Sequence, residues 1–131
     1  DCCKHPSYQD LEGLRVSSHF FIDRSGRLFQ YVSCLDRAWH AGVSSYEGRE
    51  NCNDFSIGVE LEGTDSAPYE QAQYETLGRL TDALAEAYPI KYVTGHSMIA
   101  PLRKTDPGPA FDWLTYESLC TTGKPLCFPY V

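Results

Sequence analysis

His96 and Asp106 stand ten positions apart in the stretch Thr94 to Trp113, T-G-H-S-M-I-A-P-L-R-K-T-D-P-G-P-A-F-D-W, with Lys104 two residues before the aspartate. Imidazole nitrogen and carboxylate oxygen are both ordinary ligands of tetrahedral zinc. A lysine beside such a centre can stabilise negative charge developing on a carbonyl oxygen. Pro101, Pro107, Gly108 and Pro109 exclude a continuous helix, because proline lacks the donor and glycine is too free. The stretch reads as a shaped loop, and loops on rigid scaffolds carry ligands and catalytic groups. The same residues also suit a loop histidine, a capping aspartate and a solvated lysine, since His-x9-Asp is no general zinc signature. Glu60, in the apolar run S-I-G-V-E-L, is either turned outward at a sheet edge or kept at a site. Trp39 by itself reads as a core residue, the commoner setting for tryptophan.

These groups need elements to hold them. Leu14, Val16, Ser18, Phe20 and Ile22 alternate with Arg15, Ser17, His19 and Phe21, the period of a strand. Asp23-Arg24-Ser25-Gly26 supplies a turn, and Leu28 to Val32 returns, so 14–32 reads as a hairpin. Arg37 to Phe55 reads as a long loop, and a loop of that length is more often functional than idle. Ser56 to Leu61 is a strand. Pro68 to Ala87 is a helix, with Tyr74, Leu77, Leu80, Leu84 and Tyr88 at spacings of three and four, stopped by Pro89. Lys91 to Val93 reads as a short strand, Asp112 to Leu119 as one or two helical turns, and 120–131 as an irregular tail. Strands and helices mixed in one small unit predict a single α/β or α+β domain over 1–131, a central mixed sheet flanked by helices.

A chain of 131 residues can enclose one hydrophobic core. Its balance of 11 basic against 18 acidic residues, net −7, argues against nucleic acid or an anionic lipid surface as partner. No run approaches the roughly 18 apolar residues of a membrane span. The start at Asp1 rather than Met suggests a processed or trimmed chain. Six cysteines (Cys2, Cys3, Cys34, Cys52, Cys120, Cys127) suit disulfides and a secreted protein, with about 15 pairings open. We expect a monomer.

The pattern T-G-H-x-x-I-A-P-x-R-K-T-D-P-G-P-x-F-D-W resembles the zinc loop of the AmpD-type N-acetylmuramoyl-L-alanine amidases, the type 2 amidases. The hairpin is similar to their R-V-S-A-H-x-x-I-x-x-D-G-x-x-x-Q-Y-V segment, and the likeness covers about residues 1–117. It implies a peptidoglycan-recognition-like fold with zinc at one edge of the sheet. It also implies cleavage of the amide between the N-acetylmuramic lactyl group and L-alanine in peptidoglycan fragments, with 1,6-anhydro-muropeptides as substrates. Carried over residue by residue, His96 and Asp106 are zinc ligands, Glu60 is the general acid/base and Lys104 the charge-stabilising lysine. Trp39 and His40 border the substrate groove, and Arg15 lies near the substrate. Glu62 would share the face of Glu60, which is preferred because the family motif aligns there. His19 aligns with a histidine that is no ligand. Asn51 replaces the arginine usual in G-R-E-R-C-N-D-F, so one contact to an anionic substrate is absent. Cys52 stands where the cytosolic family also has a cysteine, which keeps a bacterial cytoplasm open as the alternative compartment.

The family's third zinc ligand is a histidine on a strand upstream of the hairpin, a portion without counterpart here. Either His5, His19 or His40 completes the shell, or another chain does, or the site binds no metal. The alternatives to an enzyme are an inactive module that binds muropeptides and a truncated piece of a longer amidase.

Overall fold

Phe20, Phe21 and Ile22 are all buried, which places the first strand between two packed faces. The computed structural model describes residues 17–64 and 66–129. Strand β1 (Phe20–Ile22) pairs antiparallel with β2 (Leu28–Gln30), Phe20 opposite Gln30, and parallel with β5 (Val59–Leu61), Phe21 opposite Glu60. The sheet is mixed, in the order β2-β1-β5. The strand predicted to begin at Leu14 is a strand only from Phe20 among the described residues, and 14–16 lie outside them. Its in–out alternation also gives way: Phe20 and Ile22 enter the main core, while Phe21 meets Phe29 and Tyr31 on the opposite face.

Segment 37–55, expected to lack its own elements, holds a small hairpin and a 3-10 turn. Strands β3 (Ser45–Tyr46) and β4 (Arg49–Glu50) are joined by Glu47 and Gly48, both at positive φ. Two positive φ values in a two-residue loop match the right-handed twist of the flanking strands. Cys52–Asp54 then form the 3-10 turn, entered through Asn51 at φ 58, a left-handed conformation that asparagine tolerates better than most side chains.

Helix α1 (Gln71–Ala87) buries Tyr74, Leu77 and Leu80 against Phe20 and Ile22. Each such buried side chain contributes roughly 1.5–3 kcal/mol. Gln73, almost fully buried, fixes its first turn: Oε1 accepts the Glu70 amide at 2.9 Å, and Nε2 donates to Glu62 O at 2.9 Å. The helix stops because Tyr88 precedes Pro89 and is driven to an extended backbone, φ −135 and ψ 156.

Four-residue helix α2 (His96–Ile99) lies within the stretch read as a shaped loop, and α3 (Trp113–Leu119) packs on α1 through Thr81 Oγ1 and Tyr116 OH, 2.6 Å apart. Asp112 caps α3, its Oδ1 accepting from Leu114 N and Thr115 N. The strand expected at Lys91–Val93 reduces to one bridge between Tyr92 and Cys127. That bridge ties down the irregular tail, as does Asp82, whose carboxylate accepts from Thr121 N and Thr122 N. Cys34, Cys52, Cys120 and Cys127 are free thiols, so the expected disulfides do not occur among them; Cys2 and Cys3 lie outside the described residues. Among the described residues no helix is long and apolar enough to cross a membrane.

Candidate metal and active site

The loop after Val93 is rooted in the core at both ends. A side chain at Gly95 would meet Pro107 at 2.7 Å, so the two arms touch there. Ser97 N donates to Asp106 O at 2.8 Å, Ala100 N to His96 O at 3.0 Å and Lys104 N to Ala100 O at 2.9 Å. Tyr69 OH holds Pro107 O at 2.9 Å, and Phe111 and Trp113 sink into the core with ring centres 4.8 Å apart. These bonds double the chain back, and the Asp106–Pro107 peptide within the turn is cis. His96 and Asp106 are thereby brought side by side, Nδ1 to Oδ2 3.2 Å.

A second segment closes on this pair. Asn53 Oδ1 accepts both His40 N (3.0 Å) and Ala41 N (2.8 Å). The carbonyl of Ala41 is left facing the loop, where it lies 3.0 Å from His96 Nε2. A carbonyl oxygen can only accept, so Nε2 must carry a proton. Asp106 lies across the ring at Nδ1. Burial works to raise its pKa, but the hydrogen bond and charge of His96, with help from Lys104, hold it below the ordinary carboxylate value. An ionised carboxylate also only accepts, so a neutral ring would set lone pair against lone pair. A proton or a metal cation between the two atoms removes that conflict. Two ligands about 2.0–2.1 Å from a tetrahedral zinc stand about 3.3 Å apart, close to the 3.2 Å found here. The donor pair therefore fits two positions of a zinc shell. Among the described residues no group of three His, Cys, Asp or Glu side chains forms a complete one.

Lys104 and the His40–Ala41 segment adjoin this pair. Lys104 is close enough for its charge to act on Asp106. Glu60 shares the Phe21 face of the sheet, since Val59 and Leu61 pack against the opposite, α1-covered side. Gly58, two residues earlier and on the same face as Glu60, has the His40 ring lying on it: a Cβ at Gly58 would come within 2.4 Å of that ring. Glu60 thus stands about two strand residues, some 6–7 Å, along from the point where the His40–Ala41 segment touches the sheet. His40 faces inward rather than into solvent. Ser56 Oγ donates to Cys52 O at 2.5 Å and lies 3.3 Å from His40 Nε2, which is left to donate to it. Burial and the neighbouring His19 push the His40 pKa down to about 4, so the ring is neutral at pH 7. Trp39 is partly exposed, with the Arg37 guanidinium 4.3 Å from its ring centre.

His19 is fully buried with both nitrogens engaged: Nδ1 accepts from Gly58 N at 3.1 Å and Nε2 donates to Asp36 O at 2.9 Å. That is the satisfied structural histidine its alignment implies. Glu62 is also structural here, its Oε1 accepting the Arg24 amide at 2.8 Å. Arg15 and His5 lie outside the described residues.

Residues 1–109 match the family model of N-acetylmuramoyl-L-alanine amidase. The chain belongs to that amidase family. Members of the family generally depend on zinc. The chain is 57% identical over 117 residues to the 1,6-anhydro-N-acetylmuramyl-L-alanine amidase AmpD of Escherichia coli K12, covering 88% of this chain and 64% of that protein. A crystal structure of a selenomethionine AmpD derivative superposes with a TM-score of 0.79 at 54% identity, covering 92% of this chain and 69% of that one. The Escherichia coli amidase AmiD, solved with anhydro-N-acetylmuramic acid-L-Ala-D-gamma-Glu-L-Lys, gives a TM-score of 0.78 at 37% identity, over 86% of this chain and 51% of that one. The amidase-family chain has the type 2 amidase fold of these neighbours. It spans a little under two thirds, 64%, of the length of the AmpD sequence it matches.

Two contributors to the site went unread in the sequence. One is the Ala41 carbonyl, which no side-chain pattern can reveal. The other is Arg103, whose Nη2 donates to Ala41 O at 2.6 Å and to Val43 O at 3.0 Å. Its sequence signal is its letter in the pattern A-P-x-R-K-T-D, which gives no hint of a carbonyl partner.

Proposed function

We propose that this chain carries the catalytic centre of a zinc-dependent amidase. The bond cut joins the lactyl group of N-acetylmuramic acid to L-alanine in peptidoglycan fragments, with 1,6-anhydro-muropeptides as substrates. The observation that carries the reading is the 3.2 Å pairing of His96 with Asp106 beside Lys104, in a chain of the amidase family. The names of the AmpD relatives and the ligand in the AmiD complex support the anhydro-muropeptide.

His96 and Asp106 would hold zinc through Nδ1 and a carboxylate oxygen, with a further donor from outside the described residues. Zinc bound there would lower the pKa of water to about 7 and polarise the scissile carbonyl. Glu60 takes the proton of the attacking water and returns it to the leaving nitrogen, which is otherwise a poor leaving group. Lys104 stabilises the oxyanion as the carbonyl carbon becomes tetrahedral. Trp39 offers an aromatic face to the sugar, His40 backs the same wall, and Arg15 meets the anionic part of the substrate.

The test uses the intact protein purified without chelator, with zinc content and turnover of an anhydromuramyl-L-alanyl peptide measured together. We expect near one zinc per chain and measurable hydrolysis. Glu60→Gln and Lys104→Ala should each lower kcat by roughly 10²–10⁴-fold at unchanged zinc content. Zinc-loaded protein that binds the peptide without cutting it would replace the enzyme by a muropeptide-binding module. Full zinc content in His96→Ala would overturn the ligand assignment.

A further inference from the structure

We infer that Arg103 is a positioning residue for His96, acting through the Ala41 carbonyl; the inference rests on the reading of His96 as a metal ligand. Ala41 O receives two donors, His96 Nε2 at 3.0 Å and Arg103 Nη2 at 2.6 Å, from residues 55 and 62 positions away in the chain. The guanidinium spans further to Val43 O at 3.0 Å, so one planar group holds both carbonyls that flank Gly42. Gly42 is shaped to receive it. Its φ of +63 turns the backbone so that both carbonyls face one way, and a Cβ there would meet Arg103 Nη2 at 2.7 Å. Only glycine meets both requirements without strain.

The consequence for His96 follows from which atoms can donate. The carbonyl fixes the proton on Nε2, which leaves Nδ1 as the nitrogen turned toward Asp106. A histidine that binds metal through one ring nitrogen ordinarily donates the other N–H to a carbonyl or carboxylate, which sets both tautomer and ring angle. Here that oxygen lies on a loop, and a loop carbonyl moves unless something holds it. Asn53 holds the Ala41 amide from one side and Arg103 holds the carbonyl from the other. Both bonds leave from Nη2, whose two N–H groups are fixed in the guanidinium plane, whereas a lysine ammonium turns freely about its last bond.

The test compares Arg103→Met, which keeps the aliphatic stem, with Arg103→Lys in the intact protein. Zinc affinity is measured by competition with a chromophoric chelator, and the hydrogen bond of the His96 Nε2–H by its exchange rate in ¹⁵N–¹H correlation spectra of the metal-free state. Arg103→Met should weaken zinc binding 10–100-fold, the usual cost of losing an outer-shell partner. It should also speed exchange of the His96 Nε2–H while the thermal transition of the metal-free protein stays in place. Arg103→Lys should recover part of both effects. Zinc affinity within twofold of the parent and unchanged Nε2–H exchange in Arg103→Met would overturn the proposal. So would equal losses in both variants accompanied by a lowered thermal transition, since that pattern belongs to a structural clamp. A parent protein that binds no zinc would sink the metal reading alone, because Nε2–H exchange still reports on Arg103.

Discussion

Replacing Asp106 by asparagine keeps the shape of the side chain, removes its charge and separates two roles that a static structure superimposes. The first role is partner to His96. The ion pair is partly open, with side-chain exposures of 18% for His96 and 44% for Asp106. Solvent screening at that exposure limits the pair to about 0.2–1 kcal/mol. Its pH dependence has a fixed sign. Burial raises the Asp106 pKa, yet the His96 hydrogen bond and charge win and leave it depressed. A depressed carboxylate contributes stability above its unfolded value, near 4, and loses it as pH falls through the folded value. Asp106→Asn should therefore cost about 1 kcal/mol or less at pH 7 and nothing at the acid end. The second role, zinc ligand, is much larger. Free zinc at 100 times its dissociation constant stabilises a folded protein by about 2.7 kcal/mol. In a domain of this size that is a shift of roughly 10 °C. Thermal unfolding of the intact wild type and Asp106→Asn, each with and without zinc, reads both quantities. The zinc-induced shift should largely vanish in the variant while the metal-free transition falls by only a few degrees. An undiminished zinc shift in Asp106→Asn would refute the ligand assignment. A metal-free loss of several kcal/mol would show that the pair is structural.

Gly78→Ala should destabilise the protein although alanine is the better helix former by about 1 kcal/mol. A Cβ at 78 meets Leu119 O at 2.8 Å and Leu119 Cβ at 3.0 Å, so overpacking of about 1–3 kcal/mol outweighs the gain; a raised denaturation midpoint would show that α1 and α3 can move apart. In the native, reduced protein at pH 8, Cys127 should react with a thiol reagent well before Cys120. Cys127 is exposed, whereas burial and then Asp82 push the Cys120 thiol up to about 11; equal rates would refute that ordering.

Helix α1 was legible because Tyr74, Leu77 and Leu80 repeat at helical spacing and one face is enough to bury them. Strand β1 was less so. Alternation is the pattern of a sheet with one wet face, but Phe21 is covered by Phe29 and Tyr31, so β1 is buried on both sides and departs from it. The β3–β4 hairpin escaped notice because its strands are two residues long and exposed or half-buried, and its turn is Glu-Gly rather than Asn-Gly or Asp-Gly. Helix α2 is four residues among prolines, too short for a period to form. His96, Asp106 and Lys104 were readable as a motif. Whether two of them touch depended on Ser97 N reaching Asp106 O, a backbone bond that composition does not encode.

The less visible half of the site lies between distant segments, and one glycine shows how they are linked. Gly58 belongs to the run that ends in β5, two residues before Glu60. The absence of a side chain lets the His40 ring settle on the strand, with 2.4 Å between the ring and the place a Cβ would occupy. His40 and Ala41 share one anchor, Asn53 Oδ1, so the seat of the ring and the direction of the Ala41 carbonyl are set together. That carbonyl in turn meets His96 Nε2 at 3.0 Å. A side chain at position 58 would lift the ring, swing the carbonyl and turn His96, without touching His96 itself. In G-V-E, glycine and glutamate look like a strand breaker and a misplaced charge. On the folded sheet they share a face, where the glycine seats the segment that orients His96 and the glutamate faces the same side.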